Sequence, residues 1–102
     1  MQSLHAPHLL SVEVAQVLRR YVSTRAITAA TGNAALVDLA DLDIEHYAHE
    51  LFLGRVWELR DNVTAYDAVY LALAETLEAP LLTFDQRLAA APGHRAWVEL
   101  VS

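Results

Sequence analysis

Three carboxylates, Glu13, Asp67 and Asp85, each stand at or within the first turn of a stretch that reads as a helix. For Glu13 and Asp85 the preceding element reads as a strand. In open α/β sheets such positions gather at the carboxyl ends of the strands, where ligands bind. Carboxylates brought together from three segments repel one another unless a cation lies among them. All-oxygen ligands select Mg²⁺ or Mn²⁺ over Zn²⁺, and a hard cation held this way activates water and stabilises charge on a phosphodiester. The same residues have a second reading as helix starts. Thr64-Ala65-Tyr66-Asp67 follows the capping-box pattern with Asp in place of Glu. Asp85 suits the N-cap of QRLAAA, and Glu13 is a first-turn acid favoured by the helix dipole. Capping leaves one point unexplained: Asp67 leads a turn, AVYLALA, that is apolar around its whole circumference.

The elements that must position these acids follow from pattern and punctuation. HAPHLL reads as a short strand, since Pro7 is tolerable at a strand start or edge and breaks a helix. Ser11 is the expected cap of the helix SVEVAQVLRRYV, whose Val14, Ala15, Leu18, Tyr21 and Val22 form one apolar stripe. A second helix is expected from Thr24 to about Leu39, broken or weakened at Thr31-Gly32-Asn33. LDIEHY alternates as a short strand does, and Ala48 to about Leu59 has helical spacing. RDN at 60–62 is a turn, Thr64 opens the next helix, and that helix ends near Glu78-Ala79-Pro80. PLLTF and AWVELV read as strands, with Asp85 and QRLAAA between them. Strands separated by helices, with PLLTF apolar on both faces, predict an α/β fold in which a short, mostly parallel sheet is covered by helices.

The bulk numbers narrow the class. A chain of 102 residues is expected to be one domain, and 55% apolar with 20% charged residues is globular composition. Net charge is −6, which argues against a broad basic surface for gripping nucleic acid but does not exclude a nuclease, because an acidic metal site itself contributes to that count. No apolar run is long enough to span a membrane, and MQSLHAPH lacks the basic and apolar regions of a signal peptide. Without cysteine there is no disulfide framework, so a cytoplasmic setting is the expectation.

"AYDAVYLALAE" followed by "APLLTFDQRL" resembles the C-terminal half of PIN-domain proteins, particularly the VapC toxins of toxin–antitoxin pairs. "HAPHLLSVEVAQVLRR" is similar to that family's second strand and following helix. The resemblance runs from about His5 to Val101 and implies a three-layer PIN-like fold. It implies a Mg²⁺- or Mn²⁺-dependent endoribonuclease that hydrolyses phosphodiester bonds in RNA and is silenced by a VapB-like antitoxin. Residue by residue, Glu13 matches the family's helix acid, and Asp67 the acid of D-A-x-Y-x-A-L-A. Asp85 matches the acid of T-x-D, and Thr83 its hydroxyl, a group that orients the neighbouring carboxylate or a metal-bound water.

The family opens with a strand bearing an aspartate in a segment like V-D-x-S-A. Nothing before HAPHLL matches that segment, and Asp38, Asp41 and Asp43 lie in the wrong region to replace it. The expectation is therefore a PIN-like domain truncated at its N-terminus, with the first, central strand absent. Self-association as a homodimer is expected to compensate the exposed ladders. The competing reading is a non-catalytic, PIN-derived module that binds an antitoxin or its own copy.

Other features carry less. His46 and His49 would share a face if HYAH were helical, but no third ligand of Zn²⁺ type is near. There is no G-x-S-x-G elbow and no phosphate-cradling glycine loop. Arg19 and Arg20, about two turns after Glu13, either contact an RNA backbone or solvate that face. Trp57 and Trp97 are expected to fill a core or an interface rather than stack a base.

Overall fold

The computed structural model describes residues 4–101 and divides into two compact units, Met1–Tyr47 and Ala48–Ser102. In the first, strand β1 (Leu4–Pro7) pairs in parallel with β2 (Ile44–Tyr47), Leu4 opposite Ile44 and Pro7 opposite Tyr47. Pro7 ends the strand, where its missing N–H costs no ladder bond. Helices α1 (Leu9–Ser23) and α2 (Ala29–Asp41) lie between the two strands in sequence.

Several expectations change here. Helix α1 begins at Leu9 with His8 as its N-cap, so Ser11 is a helical residue whose hydroxyl reaches back to the His8 carbonyl at 3.5 Å. Glu13 consequently sits beyond the first turn, and the dipole no longer accounts for it. Helix α2 starts at Ala29 behind Thr28, whose Oγ1 accepts the Thr31 N–H at 3.1 Å. Thr31-Gly32-Asn33 does not break it. Gly32 is buried, and a β-carbon there would lie 3.4 Å from Val22 Cγ2, so the missing side chain lets α2 approach α1 closely. Of the predicted stripe on α1, Val14, Ala15, Leu18 and Val22 are partly covered, whereas Tyr21 is exposed.

In the second unit a 3₁₀ turn (His49–Phe52) runs into α3 (Leu53–Glu58), followed by α4 (Ala65–Leu77), β3 (Leu81–Thr83), α5 (Gln86–Ala89) and β4 (Val98–Leu100). The apolar circumference of α4 is realised in full: Ala68, Val69, Leu71, Ala72, Leu73 and Ala74 are all buried. Leu59, Ala68, Leu71 and Leu88 form the core, with Val56, Val63, Leu81, Ala96 and Val98 packed against them. Strand β3 pairs in parallel with β4, Leu81 opposite Val98 and Thr83 opposite Leu100. Helix α4 ends where Glu78 takes a left-handed conformation (φ 51°) before Ala79-Pro80.

Parallel strands flanked by helices are the architecture the pattern predicts. Their pairing falls into two two-stranded sheets among the described residues. PLLTF is not apolar-buried on both faces: Leu81 packs on the core, while Leu82 and Phe84 are exposed. No helix of the described residues is long and apolar enough to cross a membrane.

One polar contact stands apart inside this unit. Arg55 on α3 forks onto Glu75 on α4, Nε to Oε1 at 2.8 Å and a terminal nitrogen to Oε2 at 2.9 Å. Glu75 Oε2 also accepts the Arg95 N–H at 2.6 Å, and Arg55 reaches the Gly93 carbonyl at 3.2 Å. The Glu75 side chain is only 6% exposed. The Arg55 guanidinium holds its carboxyl well below the ordinary range, at about 2, against the opposing effect of burial, with the Arg95 N–H adding to the lowering. Glu75 raises the Arg55 pKa in turn.

Candidate active site

Asp67 and Asp85 line one cavity of about 550 Å³, together with Arg60, Asp61, Asn62, Val63, Thr64, Arg87, Leu88 and Ala91. Two local devices aim them there. Thr64 caps α4 with its Oγ1 accepting the Asp67 N–H at 3.2 Å, which fixes the backbone of Asp67 at the third helical position. The reciprocal half of the capping box is not made: among the described residues no donor is hydrogen-bonded to the Asp67 carboxylate. Aspartate is one methylene shorter than the glutamate that usually closes the box. The cap therefore uses the Asp67 main chain and leaves its half-buried carboxylate at the cavity wall.

Asp85 divides its work differently. Its Oδ1 accepts the N–H groups of Arg87 at 2.9 Å and Leu88 at 3.4 Å, capping α5, and no hydrogen bond of the described structure engages Oδ2. Thr83 Oγ1 accepts the Asp85 N–H at 3.0 Å. The threonine of T-x-D thus pins the aspartate's main chain where β3 passes into α5.

Glu13 lies half-buried on α1, in the first unit. Arg19 and Arg20 are exposed on the same helix, and Arg19 borders a groove formed with Leu18, Val22 and Leu36. His46 is in β2 and His49 in the 3₁₀ turn, so the two do not share a helix face.

The donor set of the cavity is all oxygen. Mg²⁺ keeps several waters and commonly binds through one or two carboxylates plus substrate phosphate oxygens, so Asp67 and Asp85 fit such an ion in chemistry and number. Among the described residues, no group of three or more His, Asp or Glu side chains gathers closely enough to hold a metal without further ligands.

Arg60, Asp61 and Arg87 were not singled out by sequence pattern. RDN reads only as a turn, and Arg87 only as part of a short helix. Their one signal is position, immediately before the Thr64 cap and two residues after Asp85.

The PIN domain family model matches residues 2–93. Ribonuclease VapC1 of Mycobacterium tuberculosis (strain ATCC 25618 / H37Rv) is 48% identical over 98 residues, covering 95% of this chain and 74% of the relative. Ribonuclease VapC9 of the same strain is 42% identical over 86% of this chain and 69% of its own length. For Ribonuclease VapC12 the identity is 37% over 99% of this chain and 78% of the relative. A family match across nearly the whole chain, with both T-x-D and the helix-opening aspartate on one cavity, shows that this chain belongs to the PIN-domain family and, within it, is VapC-like.

Proposed function

We propose that the chain is a VapC-type endoribonuclease that hydrolyses phosphodiester bonds in RNA at the Asp67–Asp85 cavity. The observation that carries this is the presentation of two carboxylates from separate segments into one cavity, with the Asp67 carboxylate and Asp85 Oδ2 unused by the fold's own hydrogen bonds. Asp67 and Asp85 would hold Mg²⁺ or Mn²⁺, with Glu13 as the third acid by family correspondence. When bound, the cation supplies Lewis-acid polarisation of a phosphodiester oxygen and a water of lowered pKa. The protein's part is positional. Thr64 and Thr83 fix the main chain of the two aspartates, and the buried Ala68, Val69 and Leu71 that follow Asp67 on α4 anchor its helix in the core. The ribonuclease names of the relatives and their high coverage support RNA as substrate and a VapB-like antitoxin as partner.

The decisive assay is RNA cleavage in Mn²⁺, Mg²⁺ and EDTA with wild type and Asp67→Asn. Cleavage is expected in either metal, absent in EDTA and absent in the variant. Metal-independent cleavage, or none in any condition, would sink the assignment. The exposed Leu82, Phe84 and Trp97 favour a second reading, a module that binds an antitoxin or its own copy without cutting. Absence of cleavage in all conditions selects it.

A further inference from the structure

The carboxylate cavity has two arginines in its wall that metal binding does not require, and one of them, Arg60, stacks on Trp57. Arg60 and Arg87 both line it, yet neither forms an ion pair among the described residues, although Asp61, Asp67 and Asp85 line the same space. Arg60 is instead bound to Trp57. Its terminal nitrogen donates to the Trp57 carbonyl at 2.8 Å, and its guanidinium carbon lies 4.6 Å from the centre of the Trp57 ring. Trp57 is 68% exposed, which is costly for the largest apolar side chain unless something covers it. Arg87 gives only its main-chain N–H to the α5 cap, and its side chain is exposed. Bonding to the end of α3 explains where Arg60 is anchored. It does not explain an indole left largely to solvent against a guanidinium that also lines the cavity.

Charge sharpens the point. Three carboxylates and two guanidiniums leave the cavity net negative, and one divalent cation makes it net positive. The arginines then face a site that attracts phosphate, and each presents a fork matched to phosphate oxygens. A flat indole backed by a guanidinium is the platform on which unpaired bases stack.

Building on the ribonuclease reading, we propose that Arg60 and Arg87 grip the phosphates flanking the scissile bond while Trp57 stacks an unpaired base. These three residues are the contacts through which this chain holds the strand beside the cavity. Arg87 acts as a contact at the α5 side of the cavity and Arg60 as a contact at the α3 side. Trp57 both stacks a base and positions Arg60.

The test is fluorescence anisotropy with a labelled single-stranded oligoribonucleotide and a blunt duplex of the same sequence. Ca²⁺ replaces Mg²⁺, and wild type is compared with R87A, R60K, W57A and W57F over a salt series. R87A is expected to weaken single-strand binding roughly tenfold and lower the salt slope by about one. W57A is expected to weaken it roughly tenfold for the single strand alone, with W57F restoring most of the loss. R87A removes no hydrogen bond of the side chain, so a folding defect does not confound it. If wild type cleaves RNA while R87A and W57A bind like wild type with an unchanged salt slope, these contacts are wrong and the ribonuclease reading stands. Wild type that neither binds nor cleaves RNA overturns both.

Discussion

Replacing Glu75 by Gln should be the most destabilising single-charge change in the second unit. Glu75 is almost fully enclosed, and both its oxygens are engaged, by the Arg55 fork and by the Arg95 N–H. Its pKa falls from the ordinary 4.5 to about 2. At about 1.4 kcal/mol per pH unit, that displacement corresponds to about 3 kcal/mol of stability at neutral pH. Gln keeps one acceptor but leaves the Arg55 charge without its buried partner, a change that costs roughly 3–5 kcal/mol in comparable pairs. Arg55 is 24% exposed and retains Glu58 at 3.4 Å, so the lower end applies. The expected loss is about 3 kcal/mol, or roughly 12–24 °C in Tm for a domain of this size. Because the folded pKa is depressed, the contribution is complete above pH 4.5 and disappears as pH falls through about 2. Urea unfolding followed by far-UV CD should show wild type and E75Q well separated at pH 7 and converging near pH 2. A difference below about 0.5 kcal/mol at pH 7, or one that persists undiminished at pH 2, would refute the reasoning.

Two further substitutions separate the roles assigned above. Asp85→Asn preserves a good N-cap, so stability should stay within about 0.5 kcal/mol of wild type while RNA cleavage is lost; Asp85→Ala should lose cleavage and about 1 kcal/mol besides. Thermal melts paired with cleavage assays decide it, and an Asn variant that still cleaves would make Asp85 only a cap. Gly93 has φ 91°, and a β-carbon there would collide with the Asn62 side chain, so Gly93→Ala should cost about 1–3 kcal/mol, read from the urea midpoint; a neutral result would contradict the turn's geometry.

The apolar sequence of α4 made its burial legible before any coordinates, because a helix without a polar face has to be enclosed. The caps at Thr64 and Asp85 were legible for a related reason: the residue types that satisfy free N–H groups at helix starts are few. The start of α1 was misread because Ser11 looks like a cap, and nothing in HAPHLL announces that His8 occupies that position without a side-chain capping bond. Gly32 was read as a weak point for want of knowing what faced it. Its neighbours Val22 and Ile27 turn a propensity cost into a packing allowance. At the site, sequence motifs supplied the two aspartates. They said nothing of Arg60 and Arg87, because a shared cavity wall is a property of the folded chain. The exposure of Trp57 likewise runs against the usual fate of tryptophan.

The two parallel pairings differ in how much chain must be gathered to make them. Leu4 finds Ile44 across about 40 positions, whereas Leu81 finds Val98 across about 17, so closing the second loop costs about 0.8 kcal/mol less entropy. The short span is close to the minimum that a parallel connection permits, and α5 occupies part of it with only Gln86–Ala89. Asp85 thus sits inside the shorter of the two strand-pairing closures in the described chain, where it caps α5. The carboxylate proposed to act in chemistry is thus also the one that caps the helix inside this closure.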